Sequence, residues 1–373
     1  MNGTLNHKTL DNKALEAQVQ DASGASQAKA RQRVLVVAPG RGCYNKDELG
    51  YLQRFHGDKT EFIAAIDDYR ASQKQPGVAK LDAAAKYAFK LHTPGENASA
   101  LIYACAMADF MDIDRDKYEI VAVSGNSMGW YIALACAGAL DPKAAITLIN
   151  TMGSMMQDGL IGGQLIYPEM DADWVKDPAK TALIDACIRD INAEDGAEIF
   201  TSIYLGGYRV LAGNEAGLKL AEARLPPLDE RYPLRLYNHG AFHSPLLQGV
   251  SAKGLALLGP ELFKRPQLPL IDGSGGIWTS YGADVDKLRA YTLGHQVVEP
   301  YDFTLALQVA VKEFAPDKVI ILGPGNTLGG PVAQSLIGIG WFDWHAKGDF
   351  TARQQQDPVM LAMGNEEQRQ LVV

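Results

Sequence analysis

The sequence predicts an α/β fold that carries a second, inserted unit, and three observations predict it. Apolar, β-branched runs at 34–38, 120–123 and 319–322 each break into a glycine-containing loop: Pro39-Gly40-Arg41-Gly42, Ser124-Gly125-Asn126-Ser127-Met128-Gly129 and Gly323-Pro324-Gly325-Asn326. Continuous apolar runs that end in tight loops read as buried parallel strands whose loops converge at one sheet edge. Helical stretches lie between them, at 98–111, apolar nearly all round and hence buried, and at 128–140, directly after the second loop. Third, residues 160–237 follow another order: strand 164–167, helix 174–191, strands 199–204 and 208–212 joined through Leu205-Gly206-Gly207, helix 215–225 and strand 234–238. That βαββαβ order is the split βαβ, ferredoxin-like unit. Inserted here, it would roof a cleft on the main α/β body.

The flanks read differently. Residues 1–32 are polar with weak apolar periodicity, which suggests an arm rather than core, and 341–373 read as a polar C-terminal extension. The expected organisation is therefore an N-terminal arm (1–32), a core (33–159 and 238–340), an inserted subdomain (160–237) and an extension (341–373).

Composition narrows the function. With 47% hydrophobic residues over 373 positions the chain can fill a sizeable core, yet no run approaches the roughly 18 apolar residues of a spanning helix, so a membrane protein is not expected. Lys+Arg 35 against Asp+Glu 44, a net charge of −9, argues against a nucleic-acid binder. The four cysteines, Cys43, Cys105, Cys136 and Cys187, form no C-x-x-C pair, so no metal site is expected. No apolar leader opens the chain, and the reading is cytoplasmic. No Walker A or dinucleotide motif follows a strand, so no nucleotide cofactor is called for.

Gly125-Asn126-Ser127-Met128-Gly129 is G-x-S-x-G between a strand and a helix. The glycines permit a sharp turn that exposes the Ser127 hydroxyl, and the helix that follows brings its positive dipole end to the same space. A serine nucleophile needs a base. Among seven histidines, His56, His92 and His295 lie in polar surroundings without a flanking motif, and His7 and His345 lie outside the core. His239 and His243, in Asn238-His239-Gly240-Ala241-Phe242-His243-Ser244, follow the strand that closes the insertion. On residue types alone, either serves.

These motifs together, Gly125-Asn126-Ser127-Met128-Gly129, then Gly240-Ala241-Phe242-His243-Ser244-Pro245-Leu246, then Gly323-Pro324-Gly325-Asn326, resemble the malonyl-CoA:acyl-carrier-protein transacylases and the acyltransferase domains of fatty acid and polyketide synthases, over about residues 33–335. The resemblance implies a hydrolase-like parallel-sheet core with the ferredoxin-like insertion. It implies Ser127 as nucleophile, His243 as base, and Gln296 as the residue whose backbone carbonyl orients the imidazole. The backbone amides of Met128 and Arg41 would form the oxyanion hole, Arg41 standing where the family usually has Gln. An acyl group would pass from CoA, or from a carrier protein, to Ser127 and then to the phosphopantetheine thiol of an acyl carrier protein. CoA thioester and phosphopantetheine are then substrates, with no bound cofactor.

This sequence departs from that family at the acyl pocket. Where the malonyl-specific members carry an arginine that clamps the substrate carboxylate, Met152 stands here, with Gln157 in the family register. A thioether cannot replace a guanidinium fork, so malonyl selectivity is expected to be lost in favour of an uncharged acyl group. Phe242 matches members that accept acyl groups without a bulky branch. Arg41 is expected to face solvent; turned inward, it would supply a substitute cation. Asn126 replaces a common His, and Trp130, replacing Glu, would add apolar surface near the entrance or pack within its helix. Met152, Met155 and Met156 form either a plastic pocket wall or helix core, and Cys43 is expected to be a buried, inert thiol.

Two other readings accompany the acyltransferase. The same dyad with water as acceptor is an acyl-thioester hydrolase, and a catalytically weak docking subunit of a synthase complex is the third. An acidic carrier protein would need a local basic cluster, for which Arg209, Lys219, Arg224 and Arg231 on the insertion are the candidates.

Overall fold

The computed structural model describes residues 30–155 and 161–373. The 1–29 part of the arm, His7, Met156 and Gln157 fall outside the described residues.

A six-stranded sheet forms the main body. Its central strands are β1 (Gln32–Ala38) and β2 (Tyr118–Gly125), and the full order is β11-β10-β1-β2-β7-β8 once β7 (Leu270–Ile271), β8 (Ile277–Trp278), β10 (Lys318–Ile321) and β11 (Met360–Ala362) are added. β1 lies parallel between β10 and β2, with Val36 opposite Ile320 and Val123. The three β-branched runs are thus the three central strands. Residues 34–37 of β1 are wholly buried, as expected of a strand covered on both faces, and each such side chain contributes about 1.5–3 kcal/mol of burial. Only β8 runs antiparallel.

Helices cover both faces. The α1 helix (Gly95–Asp112) is buried along most of its length, as its all-round apolar sequence predicts, and α2 (Gly129–Cys136) is buried at every position. Helix α3 (Pro142–Ser154) begins at an Asp141 cap that accepts from the Ala144 amide, with proline at its first position. It packs closely on α1, where a Cβ at Gly153 would stand 2.8 Å from the Gly95 carbonyl oxygen.

The second sheet has the order β6-β3-β5-β4-β9. Its strands β3 (Gly163–Pro168), β4 (Ile199–Leu205), β5 (Tyr208–Gly213) and β6 (Leu234–Leu236) alternate with α4 (Pro178–Ile191) and α5 (Glu215–Arg224), in the expected βαββαβ order. Asp177 and Asn214 cap the two helices. The fifth strand, β9 (Tyr301–Asp302), comes from the core segment and pairs parallel with β4. That pairing stitches the small sheet to the body, and no local pattern announced so short a strand.

The C-terminal segment is not an appendage. Residues 341–373 include α8 (Lys347–Gln356), strand β11 that extends the main sheet beside β10, and α9 (Glu366–Arg369); α6 (Phe303–Phe314) and α7 (Gly329–Ile337) precede them. Arg369 is buried against Asp109, Asp112 and Tyr51. The same Asp109 accepts from His56 Nε2 at 2.9 Å and from the Gly323 amide at 2.6 Å. His56 is therefore a buried member of an ionic cluster, not a residue of polar surface. Polar composition hid this because most of the segment's charged residues lie on the surface, and Arg369 alone among them is buried. Among the described residues no helix is long and apolar enough to cross a membrane.

Candidate active site

The loops after β1, β2 and β10 meet at one edge of the main sheet, and the small sheet faces them. Ser127 sits in the turn between β2 and α2 with φ +56°, in the left-handed region that a side chain adopts only under constraint. The glycines on either side explain how: a Cβ at Gly125 would lie 2.2 Å from the Gly129 carbonyl oxygen, and one at Gly129 would lie 2.4 Å from that of Ala38. The turn closes only with glycine at both places, and it lifts the hydroxyl clear of the sheet.

Of the two histidines left open by residue type, His243 reaches the serine. Its Nε2 stands 2.7 Å from Ser127 Oγ, and its Nδ1 stands 2.6 Å from the Gln296 backbone carbonyl. A carbonyl only accepts, so Nδ1 carries the proton and Nε2 is the free acceptor for the hydroxyl. Burial lowers the His243 pKa to about 4, against a smaller opposing effect of the Gln296 carbonyl, so the ring is neutral at pH 7. His239 instead bonds Gln164 Oε1 at 2.8 Å, and burial together with the Arg41 cation lowers its pKa to about 3.

The Met128 and Arg41 amides donate to no protein acceptor among the described residues, and no side chain caps α2. Both residues line a cavity of about 60 Å³ beside Ser127. Ile149, Met152 and Leu247 make its apolar wall, with Phe242 across from them and the Ser99 side chain at one side. Met152 is thus pocket wall and buried helix at once, while Met155 packs against the core. A larger cleft of about 490 Å³ opens between the two sheets on the other side of Ser127 and Phe242. Asn126 lines this larger cleft and not the small cavity.

Three expectations are corrected. Trp130 is wholly buried inside α2 and donates from Nε1 to Thr292 Oγ1 at 3.0 Å, so it packs the core instead of facing the entrance. Arg41 is half-buried and not turned out to solvent: two backbone carbonyls, of Thr93 and Asn238, each accept from Nη2 at 3.1 Å and draw the side chain inward. Arg209 is no docking residue, being buried in a pair with Glu169. Of the other basic candidates, Lys219 pairs with Glu215 and Arg224 with Glu194, whereas Arg231 is exposed at the cleft and lies over the Tyr232 ring. Cys43 is buried, donates from Sγ to the Gly40 carbonyl, and has its pKa pushed up by burial, as an inert thiol should.

Sequence reasoning passed over two tyrosines. Tyr131 donates to Gln296 Oε1 at 2.9 Å, and Tyr301 donates to the Gly125 carbonyl at 2.5 Å with its ring 5.4 Å from that of His243. Both fall within the span of about 33–335 that the resemblance covers, but no spacing rule joins positions so far apart in the chain.

Comparison with known proteins follows the same line. No protein-family profile matches the chain. It is 27% identical over 247 residues to the malonyl CoA-acyl carrier protein transacylase of Haemophilus influenzae, covering 65% of this chain and 72% of that one. A 27% match over 207 residues to polyketide synthase GfsB of Streptomyces halstedii covers 55% of this chain and 3% of that much longer protein. Among solved structures, the malonyl-CoA:ACP transacylase of Synechocystis sp. PCC 6803 superposes with a TM-score of 0.70 at 16% identity, over 91% of this chain and all of that one. A malonyl-transacylase solved in complex with a type II polyketide acyl carrier protein gives 0.65 at 17%, over 90% and 97% of the two chains. The resemblance carried by the three motifs and the fold it implied are both borne out.

Proposed function

We propose that the chain is an acyltransferase that moves an acyl group from a CoA or carrier-protein thioester to the phosphopantetheine thiol of an acyl carrier protein, through an ester on Ser127. The observation that carries this reading is the relay from Ser127 Oγ through His243 to the Gln296 carbonyl, two contacts of 2.7 and 2.6 Å.

In the first half-reaction the Ser127 hydroxyl gives its proton to His243 Nε2 as Oγ attacks the thioester carbonyl carbon. The oxyanion that forms takes hydrogen bonds from the Met128 and Arg41 amides, at the uncapped N-terminus of α2. Collapse breaks the C–S bond, and the leaving thiolate takes the proton from His243. The second half runs in reverse with a pantetheine thiol: His243 takes the thiol proton, sulfur attacks the ester, the C–O bond breaks, and Ser127 regains the proton. The exchange of one thioester for another balances without metal, redox partner or resident cofactor. The imidazolium formed on the way is supported by the Gln296 carbonyl in place of a triad carboxylate.

The acyl group lies in the 60 Å³ cavity, which has room for only about four or five atoms of water size, and the longer arm of the donor lies in the larger cleft. Phe242 narrows the cavity against branching. Met152 gives a carboxylate nothing to bind, so the α3 wall by itself favours an uncharged acyl group over malonyl. Arg231, exposed at the cleft, is the basic residue best placed to meet an acidic carrier.

Intact-protein mass spectrometry after incubation with acetyl-, malonyl- and longer acyl-CoAs tests the reading. A Ser127-dependent adduct that is discharged by holo carrier protein is expected, and its absence in Ser127→Ala completes the result. Ser127-dependent release of free CoA and free acid with no transfer to carrier would replace the transferase by the hydrolase.

A further inference from the structure

Among the described residues Arg41 is a cation without a protein anion. No carboxylate of the described residues pairs with it, and its Nε is buried with no hydrogen-bond partner. Two backbone carbonyls hold Nη2, which fixes the guanidinium while leaving Nε and Nη1 uncommitted, and its carbon lies 5.5 Å from the centre of the Phe242 ring. Burial lowers its pKa only to about 10, so the group is charged at neutral pH. It lines the same small cavity as Ser127 and Met152. An unpaired, desolvated guanidinium gains most from an oxyanion of matching planar geometry.

We propose that Arg41 is the acyl-selectivity residue of this cavity, its guanidinium receiving a carboxylate at the far end of a short acyl thioester. The proposal rests on the acyltransferase reading above and goes beyond it by assigning the residue that sets acyl selectivity, on the β1 loop and not on α3. Arg41 also lines the larger cleft of about 490 Å³, so the comparison that isolates the acyl carboxylate is between malonyl-CoA and acetyl-CoA, which carry the same phosphates. The α3 wall and the β1 loop then divide the work. Met152 contributes packing, and the charge that its helix lacks comes from the opposite side of the pocket, on the residue whose amide also faces the reacting carbonyl. One side chain and one amide of the same residue would set the two ends of the acyl group relative to each other.

The test reads binding without acyl transfer. Full-length Ser127→Ala protein is titrated with malonyl-CoA and with acetyl-CoA, and the two affinities are compared with those of Ser127→Ala/Arg41→Gln and Ser127→Ala/Arg41→Lys. Malonyl-CoA is expected to bind Ser127→Ala tighter by about tenfold or more. Arg41→Gln removes most of that ratio, and Arg41→Lys, which keeps the charge but not the fork, retains part of it. Because the ratio is taken within one protein, a general loosening of the loop lowers both affinities and leaves it unchanged. If Arg41→Gln does not fold, the partial loss in Arg41→Lys carries the same result. Equal binding of the two thioesters by Ser127→Ala, or a ratio indifferent to Arg41, overturns the proposal. Failure of the acyl-enzyme reading is separate: wild-type protein with no acyl group on Ser127 from either thioester, alongside an intact Arg41-dependent ratio, refutes the serine chemistry and leaves the Arg41 site standing.

Discussion

Gln296 holds His243 and Ser127 at the same time. Its backbone carbonyl accepts from His243 Nδ1 at 2.6 Å, and its side-chain amide donates to the Ser127 backbone carbonyl at 3.1 Å. Tyr131 fixes the other end of that amide. One residue thereby couples the position of the imidazole to that of the strained serine turn.

Replacing Gln296 by Leu keeps the backbone carbonyl and removes the grip on Ser127. Acylation of Ser127 is expected to slow by about 10-fold to 100-fold through misplacement of the nucleophile, with little change in the pH profile because His243 keeps its Nδ1 partner. Rapid-quench acylation with acyl-CoA across pH checks both halves of the statement.

The two histidines separate cleanly. His243→Ala is expected to lower the acylation rate by about 10²–10⁴-fold, the range of a lost general base, whereas His239→Ala, which breaks only the bond to Gln164, lowers it by less than about tenfold. Loss of acylation in His239→Ala with His243→Ala still active would reverse the assignment.

The pH dependence follows from the direction of the His243 shift. Because burial holds its pKa near 4 in the folded protein, the ring is already neutral above that value. The acylation rate is therefore expected to be level from pH 8 down to about 5.5, with no inflection at the ordinary histidine value near 6.5. Stability has the matching sign. Unfolded His239 and His243 take up protons below about pH 6.5 while the folded ones do not, so their contribution falls as pH drops from there through about 4. His56, raised by its bonds to Asp109 and Asp112 in spite of burial, acts in the opposite sense. A plot of urea midpoint against pH for His239→Gln, flatter than wild type on the acid side, checks the sign.

The serine turn tolerates no Cβ at its glycines. Gly125→Ala forces an atom to 2.2 Å from the Gly129 carbonyl oxygen, and the backbone cannot yield because β1 and β2 hold both sides. A loss of about 3 kcal/mol or more, or outright failure to fold, is expected. Chemical denaturation reads the former and soluble yield the latter.

Arg369 ties the end of the chain to the core. Arg369→Leu leaves Asp109 and Asp112 short of their buried cation, at a cost of about 3–5 kcal/mol. Truncation before β11 also bares the β10 edge. Both variants should show a lowered denaturation midpoint, and an unaffected truncation would mean that the C-terminal segment contributes no stability.

Much of the candidate site was legible because its signals are local. The G-x-S-x-G turn is written in five consecutive residues, since only glycine fits where backbones approach that closely. The apolar runs at 34–38, 120–123 and 319–322 are long and β-branched enough to read as buried strands. The βαββαβ order follows from the succession of strand-like and helical stretches over 160–237, although the first helix begins only after the Asp177 cap and not at 174. By contrast β9, two residues long, carries too little pattern to be seen, and the apolar run 359–363 that holds β11 was masked by the polar residues around it; the role of both strands lies in pairing with strands far away in sequence.

The sequence by itself determined the layered α/β plan, the second unit and the serine turn, because each depends on neighbours along the chain. The tertiary structure alone decided that His243 and not His239 meets Ser127, since both follow the same strand and only the packing of Gln296 against that loop separates them. It also decided that Trp130 is core and that Arg41 points inward. A side chain's direction there is set by acceptors such as the Thr93 and Asn238 carbonyls, 52 and 197 residues away, and contacts at such range leave no mark in local composition.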